Sequence, residues 1–171
     1  MGVTPMRVLA FLAALLVGMT TLVAPASAAP VSRSELINRA ASWLTANNGG
    51  RVPYSQETNW TDGYRMDCSG YASMAAKLST PGPNTVQLNT DTYTMRIEVS
   101  AMLPGDLMID SIGDGNTRHV VIFHKWSNPG KSAYMAYEQR GGYGTSYRAM
   151  TYGLFGSDEY VPRRLKNISG W

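Results

Sequence analysis

Asp67-Cys68-Ser69-Gly70-Tyr71-Ala72-Ser73-Met74-Ala75 is the stretch where a long loop becomes a helix, and the organisation of the chain reads outward from it. An aspartate side chain accepts readily from the free amides of a first helical turn. A helix is therefore expected from about Asp67, with Cys68 in that turn. Tyr71, Met74, Ala75 and Leu78 recur at helical spacing, and Ser79-Thr80-Pro81-Gly82-Pro83 ends the segment. Upstream, residues 51–66 are rich in Gly, Pro, Asn, Thr and Tyr and read as a long ordered loop. Before that loop, Ser32-Arg33-Ser34-Glu35 has the form of a capping box, Ser32 as N-cap and Glu35 reaching back. Leu36, Ala40, Trp43 and Leu44 continue this first helix, and Asn48-Gly49-Gly50 stops it.

Downstream the pattern changes. Residues 85–88 and 95–99 read as short extended or irregular pieces. Leu103-Pro104-Gly105-Asp106 is a turn that launches a buried strand over 107–110, and residues 111–117 form a surface loop. Residues 119–126, centred on Val120-Val121-Ile122-Phe123, are the strongest strand. Asn128-Pro129-Gly130 turns the chain into a hairpin partner over 133–139. Gly141, Gly142 and Gly144 interrupt it, and residues 147–152 are expected to add an edge strand. Helices followed by a run of strands define an α+β class, with N-terminal helices packed on an antiparallel sheet.

Residues 1–28 read as a signal peptide: Arg7 supplies a positive start, residues 8–23 an apolar core, and Ala26-Ser27-Ala28 a small-x-small cleavage pattern. The apolar run is short for a full membrane span. The expectation is export, with residues 29–171 left as one secreted domain and association with a cell wall left open. Removing the leader takes one positive charge, Arg7, from a formal net charge of +3. Such a mild balance, with no basic cluster interleaved with aromatics, argues against nucleic acid. Arg163, Arg164 and Lys166 read as a solvated C-terminal end. No membrane partner is expected once the leader is removed.

The chain has a single cysteine, whereas small secreted domains usually carry even numbers locked in disulfides. Cys68 is then a buried inert side chain, half of an intermolecular bridge, or a reactive thiol. Burial is the default for a free cysteine, and Cys68, three residues before Tyr71, falls on the apolar stripe. Its place in a first helical turn argues otherwise. Free amides and the positive end of the helix dipole favour a thiolate, and the same amides suit a developing oxyanion. Ser69 and Gly70 are small enough to let a substrate carbonyl approach.

A thiol nucleophile needs a base, and only His119 and His124 exist. Five positions apart on a regular strand, they face opposite sides. His119, which opens the strand after a loop, is preferred. Across the hairpin, Glu138 and Gln139 arrive beside it as candidates for the acceptor that orients the imidazole. Glu138 is the choice, and a bulge would exchange it for Gln139. Two histidines and one cysteine, scattered as they are, make no zinc site, and no cofactor is implied.

Three blocks in order now resemble the NlpC/P60 cysteine peptidases: Pro53-Tyr54 ahead of Asp67-Cys68-Ser69-Gly70-Tyr71, then Leu103-Pro104-Gly105-Asp106-Leu107, then Arg118-His119-Val120-Val121-Ile122. The resemblance covers roughly residues 53–139. It implies a papain-like fold, with the cysteine on a helix and the histidine on the sheet. It also implies cleavage of amide bonds in peptidoglycan stem peptides, often between γ-D-glutamate and a diamino acid. Carried over by position, the catalytic set is Cys68 as nucleophile, His119 as base, Tyr54 as a hydroxyl near the thiol, and Glu138 where the family commonly has a histidine. That difference marks a divergent branch. A monomer acting on cell-wall peptides is expected. The alternatives from other classes are a non-catalytic cell-wall binding module on the same scaffold, and a thiol acyltransferase or toxin using the same dyad.

Overall fold

The computed structural model describes residues 1–2, 29–156 and 158–169. The leader expected over residues 1–28 lies, from residue 3 onward, outside the described residues. Among those described, no helix is long and apolar enough to cross a membrane.

The chain begins with a short strand β1 (Val31–Ser32) and helix α1 (Arg33–Ser42). Ser32 caps α1, its hydroxyl accepting from the Glu35 amide at 3.1 Å. The Glu35 carboxylate does not complete the expected capping box; it pairs instead with Lys77 at 3.0 Å. Helix α2 (Cys68–Ala75) follows the 51–66 loop, and every one of its residues is buried. α1 and α2 pack together through Leu36, Ala40, Trp43, Tyr71 and Ala75. The Tyr71 hydroxyl donates to the Ala40 carbonyl at 2.7 Å, which satisfies the polar end of an otherwise fully buried ring.

Residues 85–88 correct the expectation of an extended piece: they form a one-turn helix, α3 (Thr85–Leu88). The reason is local. Asn84 and Gln87 make a reciprocal capping box, each side chain accepting from the other's amide at 2.9 Å. Likewise residues 95–99 divide into strand β2 (Thr94–Arg96) and the start of a 3-10 turn at Val99–Ala101.

The remaining strands are β3 (Leu107–Asp110), β4 (His119–Trp126), β5 (Tyr134–Arg140), β6 (Gly144–Met150), β7 (Val161–Leu165) and β8 (Ile168–Ser169). β1 and β8 pair in parallel, while the main sheet runs β2-β7-β3-β4-β5-β6 with every neighbouring pair antiparallel. The class is α+β. The edge strand expected over 147–152 starts earlier, because Gly144 at φ +74° leaves the turn directly into pairing with Arg140.

β7 was absent from the sequence reading, and the arginines taken for a solvated end belong to it. Arg163 is 7 % exposed and bonds Thr94 Oγ1 and Asp91 Oδ1, both at 2.8 Å. Arg164 pairs with Asp106 at 2.6 Å, and Arg33 of α1 pairs with the same carboxylate at 3.0 Å. Asp106, fully buried, thus ties the turn before β3 to both a helix and the C-terminal strand. A buried carboxylate requires such pairing.

Both faces of the sheet are covered. Leu107, Ile109, Val120, Ile122 and Leu165 pack against the helices, and Met108, Val121, Phe123 and Ala136 form a second cluster with Met102, Tyr134 and Met150. Tyr152, Leu154 and Tyr160 close over that second cluster. This two-sided burial explains why β3 and β4 are continuous apolar runs instead of alternating ones.

Candidate active site

Cys68 is the first residue of α2 and is 6 % exposed. Asp67 caps the helix, Oδ1 accepting from the Gly70 amide at 2.6 Å and from the Ser69 hydroxyl at 2.9 Å. Arg65, which the sequence reading passed over, holds the other carboxylate oxygen at 3.0 Å. Its guanidinium also bonds Ser69 Oγ and the Gly82 and Pro83 carbonyls, and so staples the helix start to the loop that follows α2. A Cβ at Gly70 would lie 2.1 Å from the Arg65 carbonyl oxygen, so only glycine fits there. Among the described residues the Cys68 and Ser69 amides have no acceptor, which leaves two donors beside the sulfur. The thiol and the Thr85 hydroxyl form a hydrogen bond, Sγ to Oγ1 at 3.8 Å.

His119 opens β4, and its Nε2 lies 3.0 Å from Glu138 Oε2. Cys68 also acts on the imidazole, through its hydrogen-bonding capacity and its negative charge. With Nε2 engaged by Glu138, the ring nitrogen left for the sulfur is Nδ1. Burial lowers the basicity of His119, but hydrogen bonds to Cys68 and Glu138 and the negative charge of both outweigh it, raising its pKa to about 9. Both neighbours thus favour the protonated ring.

The Glu138 side chain has no exposed surface and is surrounded by donors. Ser146 Oγ donates at 3.0 Å, Arg148 Nε at 2.6 Å and Arg148 Nη2 at 3.3 Å. Arg140 Nε sits 2.9 Å from Oε1 as a charge contact without an aligned hydrogen bond. Burial alone would raise the carboxyl's pKa, but the His119 and Arg148 hydrogen bonds and charges override it and hold the pKa at about 2. Tyr152 receives a bond from Arg148 at 3.0 Å, sits edge-on to the His119 ring at 6.3 Å, and stacks on Tyr160. It screens the ion cluster from that side.

The structure separates the candidates the sequence left open. Val121 is directly opposite Glu138 in the β4–β5 register, so His119, two positions earlier, shares its face with Glu138. Gln139 points to the other face, where its Nε2 donates to the carbonyls of Pro53 at 2.8 Å, Met66 at 3.2 Å and Val52 at 3.4 Å. That amide pins the loop carrying Tyr54 against the segment entering α2. A bulge does occur in β4, but at 123–125, beyond the positions that matter. His124 lies on the face away from His119, against Tyr137 and Tyr147, with its Nδ1 2.7 Å from the Tyr147 hydroxyl.

Tyr54 lines the cleft at Cys68, although no hydrogen bond joins the two. Its hydroxyl accepts from Gln56 Nε2 at 3.0 Å, and the same amide nitrogen donates to the Gly115 carbonyl at 3.0 Å. Burial raises the Tyr54 pKa, the Gln56 bond opposes it, and the negative charges of Cys68 and Asp67 raise it further. The cleft measures about 80 Å³ and is completed by Asp67, Ser69, Asn84, Thr85 and Arg118. A larger groove of about 940 Å³, between the 79–83 loop and the β8 end, contains none of these residues. Among the described residues no three His, Cys, Asp or Glu side chains gather as metal ligands.

Arg148 and Ser146 were also beyond the sequence reading. A signal existed: with a turn at 141–143, hairpin pairing sets Ser146 opposite Glu138 and Arg148 one same-face step away. No protein-family model and no curated protein matches this chain.

Proposed function

We propose that the protein is a thiol hydrolase in which Cys68 is the nucleophile, His119 the general base and acid, and Glu138 the group that orients His119. The observation that carries this reading is His119 set between Cys68, which acts on its ring, and Glu138, whose Oε2 lies 3.0 Å from Nε2. On one side is a sulfur at a capped helix start, and on the other a buried, fully bonded carboxylate. A structural cysteine needs neither an imidazolium beside it nor a second buried charge behind that.

In the proposed cycle the Cys68 thiolate attacks an amide carbonyl, and the Cys68 and Ser69 amides receive the oxyanion. The His119 imidazolium gives its proton to the leaving amine as the C–N bond breaks. Neutral His119 then takes a proton from water, whose oxygen attacks the thioester. The acid product leaves, and thiolate and imidazolium are restored. Glu138 stays ionised throughout, fixing the ring so that Nδ1 faces the sulfur. Tyr54 borders the reacting group from the cleft wall.

The NlpC/P60 resemblance of the three sequence blocks favours cell-wall stem peptides as substrate, processed outside the cell. Digests of purified peptidoglycan analysed by mass spectrometry test this. The wild type is expected to release new peptide termini, and Cys68→Ala and His119→Ala to release none while remaining folded. A folded Cys68→Ala protein with full activity would exclude the thiol mechanism. A wild type that leaves peptidoglycan intact yet cleaves other amides would exclude only the substrate.

A further inference from the structure

Among the described residues, Arg118 is the only cationic side chain that lines the Cys68 cleft. It is half-buried, and among the described residues only its Nε is committed, donating to the Asp114 carbonyl at 2.9 Å. Among the described residues neither terminal nitrogen has an acceptor and Arg118 takes part in no ion pair. The one anionic side chain in the lining is Asp67, whose two oxygens already serve Arg65, Ser69 and the Gly70 amide. The charges of the other ionised groups nearby, Glu138 among them, are matched within the protein. The cleft therefore presents a single uncommitted charge, and it is positive. Beside it stand neutral hydrogen-bonding groups from Tyr54, Gln56 and Asn84.

We infer that Arg118 is a specificity-determining residue that binds a carboxylate carried by the substrate close to the scissile amide. This rests on Cys68 being the nucleophile. A guanidinium with both terminal nitrogens free is suited to a carboxylate by geometry as well as charge, since it offers two parallel donors. The surrounding loop keeps the group in place. Nε is tethered to Asp114, whose carboxylate caps the turn through the Asn116 and Thr117 amides at 2.8 and 3.2 Å. Gln56 ties the same loop to Tyr54 across the cleft through Gly115. A cleft of about 80 Å³ accepts only the reacting amide and a small neighbouring group, so the carboxylate it selects is one attached within a few bonds of the carbonyl.

Two alkylating reagents that differ only in charge test the assignment without any substrate. Iodoacetate carries a carboxylate next to its reactive carbon, and iodoacetamide is its neutral counterpart. The second-order rate constants at Cys68 are measured for both by mass spectrometry at pH 7 and low salt. The iodoacetate-to-iodoacetamide ratio is expected to fall about five- to tenfold in Arg118→Gln, the loss of one nearby charge in a partly buried site. Arg118→Lys is expected to recover part of the ratio, because it restores charge but not the paired donors. His119 also attracts anions, but that contribution is common to all three proteins. A ratio that is the same in wild type and Arg118→Gln would overturn the role of Arg118 and leave the nucleophile intact. A wild-type Cys68 no more reactive than a free thiol toward both reagents would overturn the nucleophile, and the inference with it.

Discussion

His119 Nε2 and Glu138 Oε2 stand 3.0 Å apart at the open end of the β4–β5 hairpin, and the carboxylate has no exposed surface. A buried carboxylate beside a histidine would ordinarily be a cost. Here Ser146 and Arg148 of the neighbouring strand and Arg140 of its own surround its other oxygen, so the charge is compensated and the His119 bond is left to orient the ring.

That relationship sets the pH dependence of stability. The Glu138 pKa is depressed in the fold to about 2, so its contribution is complete above the ordinary carboxyl range and is lost as pH falls toward 2. The His119 pKa is raised to about 9, so its contribution is complete below its ordinary value of 6.5 and is lost as pH rises through 9. Urea unfolding free energy is expected to be highest between these limbs. Glu138→Gln flattens the acid limb and lowers the maximum by about 3–5 kcal/mol, as it strands the arginines gathered around it.

The same substitution is expected to shift catalysis. Without the Glu138 charge and hydrogen bond, the His119 pKa falls below about 9, and the alkaline fall in kcat/KM moves to lower pH. A pH–rate profile whose alkaline limb stays in place in Glu138→Gln would show that the carboxylate does not act on His119.

Cys68 acts on His119 as well. Its hydrogen bond and negative charge both raise the imidazole pKa, so Cys68→Ala is expected to lower it. An NMR titration of the His119 ring reads this directly, with His124, bonded to Tyr147 on the opposite face, as an internal reference.

Gly70→Ala is expected to disrupt the helix start without touching any reacting group. The new Cβ would meet the Arg65 backbone carbonyl at 2.1 Å, and the Asp67 cap is made in the same turn. A loss of at least about 2 kcal/mol is expected, together with slower alkylation of Cys68. Thermal unfolding and thiol kinetics measure the two.

Gln139→Leu tests the pin on the Tyr54 loop. It keeps the volume but removes the donor shared by the Val52, Pro53 and Met66 carbonyls. The cost expected is about 1–3 kcal/mol, with faster amide exchange across residues 52–66. Unchanged exchange there would mean that the loop is held by other contacts.

What could be read from the chain alone was local. Asp67 followed by small residues marks a helix start, because capping depends on a few consecutive side chains, and that puts Cys68 in the first turn. The opposite facing of His119 and His124 follows from strand periodicity, and the bulge at 123–125 preserves it by leaving His124 as the extra residue on the far face. The order of helices before strands was enough for the α+β class. The Asn84–Gln87 capping box was equally local, and α3 went unread because four residues carry too little periodicity to announce a helix.

The rest depended on contacts between distant parts of the chain. Glu138 faces His119, and Gln139 the Tyr54 loop, only because the register between β4 and β5 is unbroken from Val121 to Phe123. One slipped residue would have exchanged their roles. β7 enters the sheet between β2 and β3 because Asp91, Thr94 and Asp106 await its two arginines. The sequence by itself determined where the thiol would stand and which histidine could serve it, since both follow from short-range geometry. Tertiary structure alone decided that Glu138 and not Gln139 faces His119, and which arginines gather around that carboxylate. Strand register is set by what two faces of a sheet bury, and no single segment contains that information.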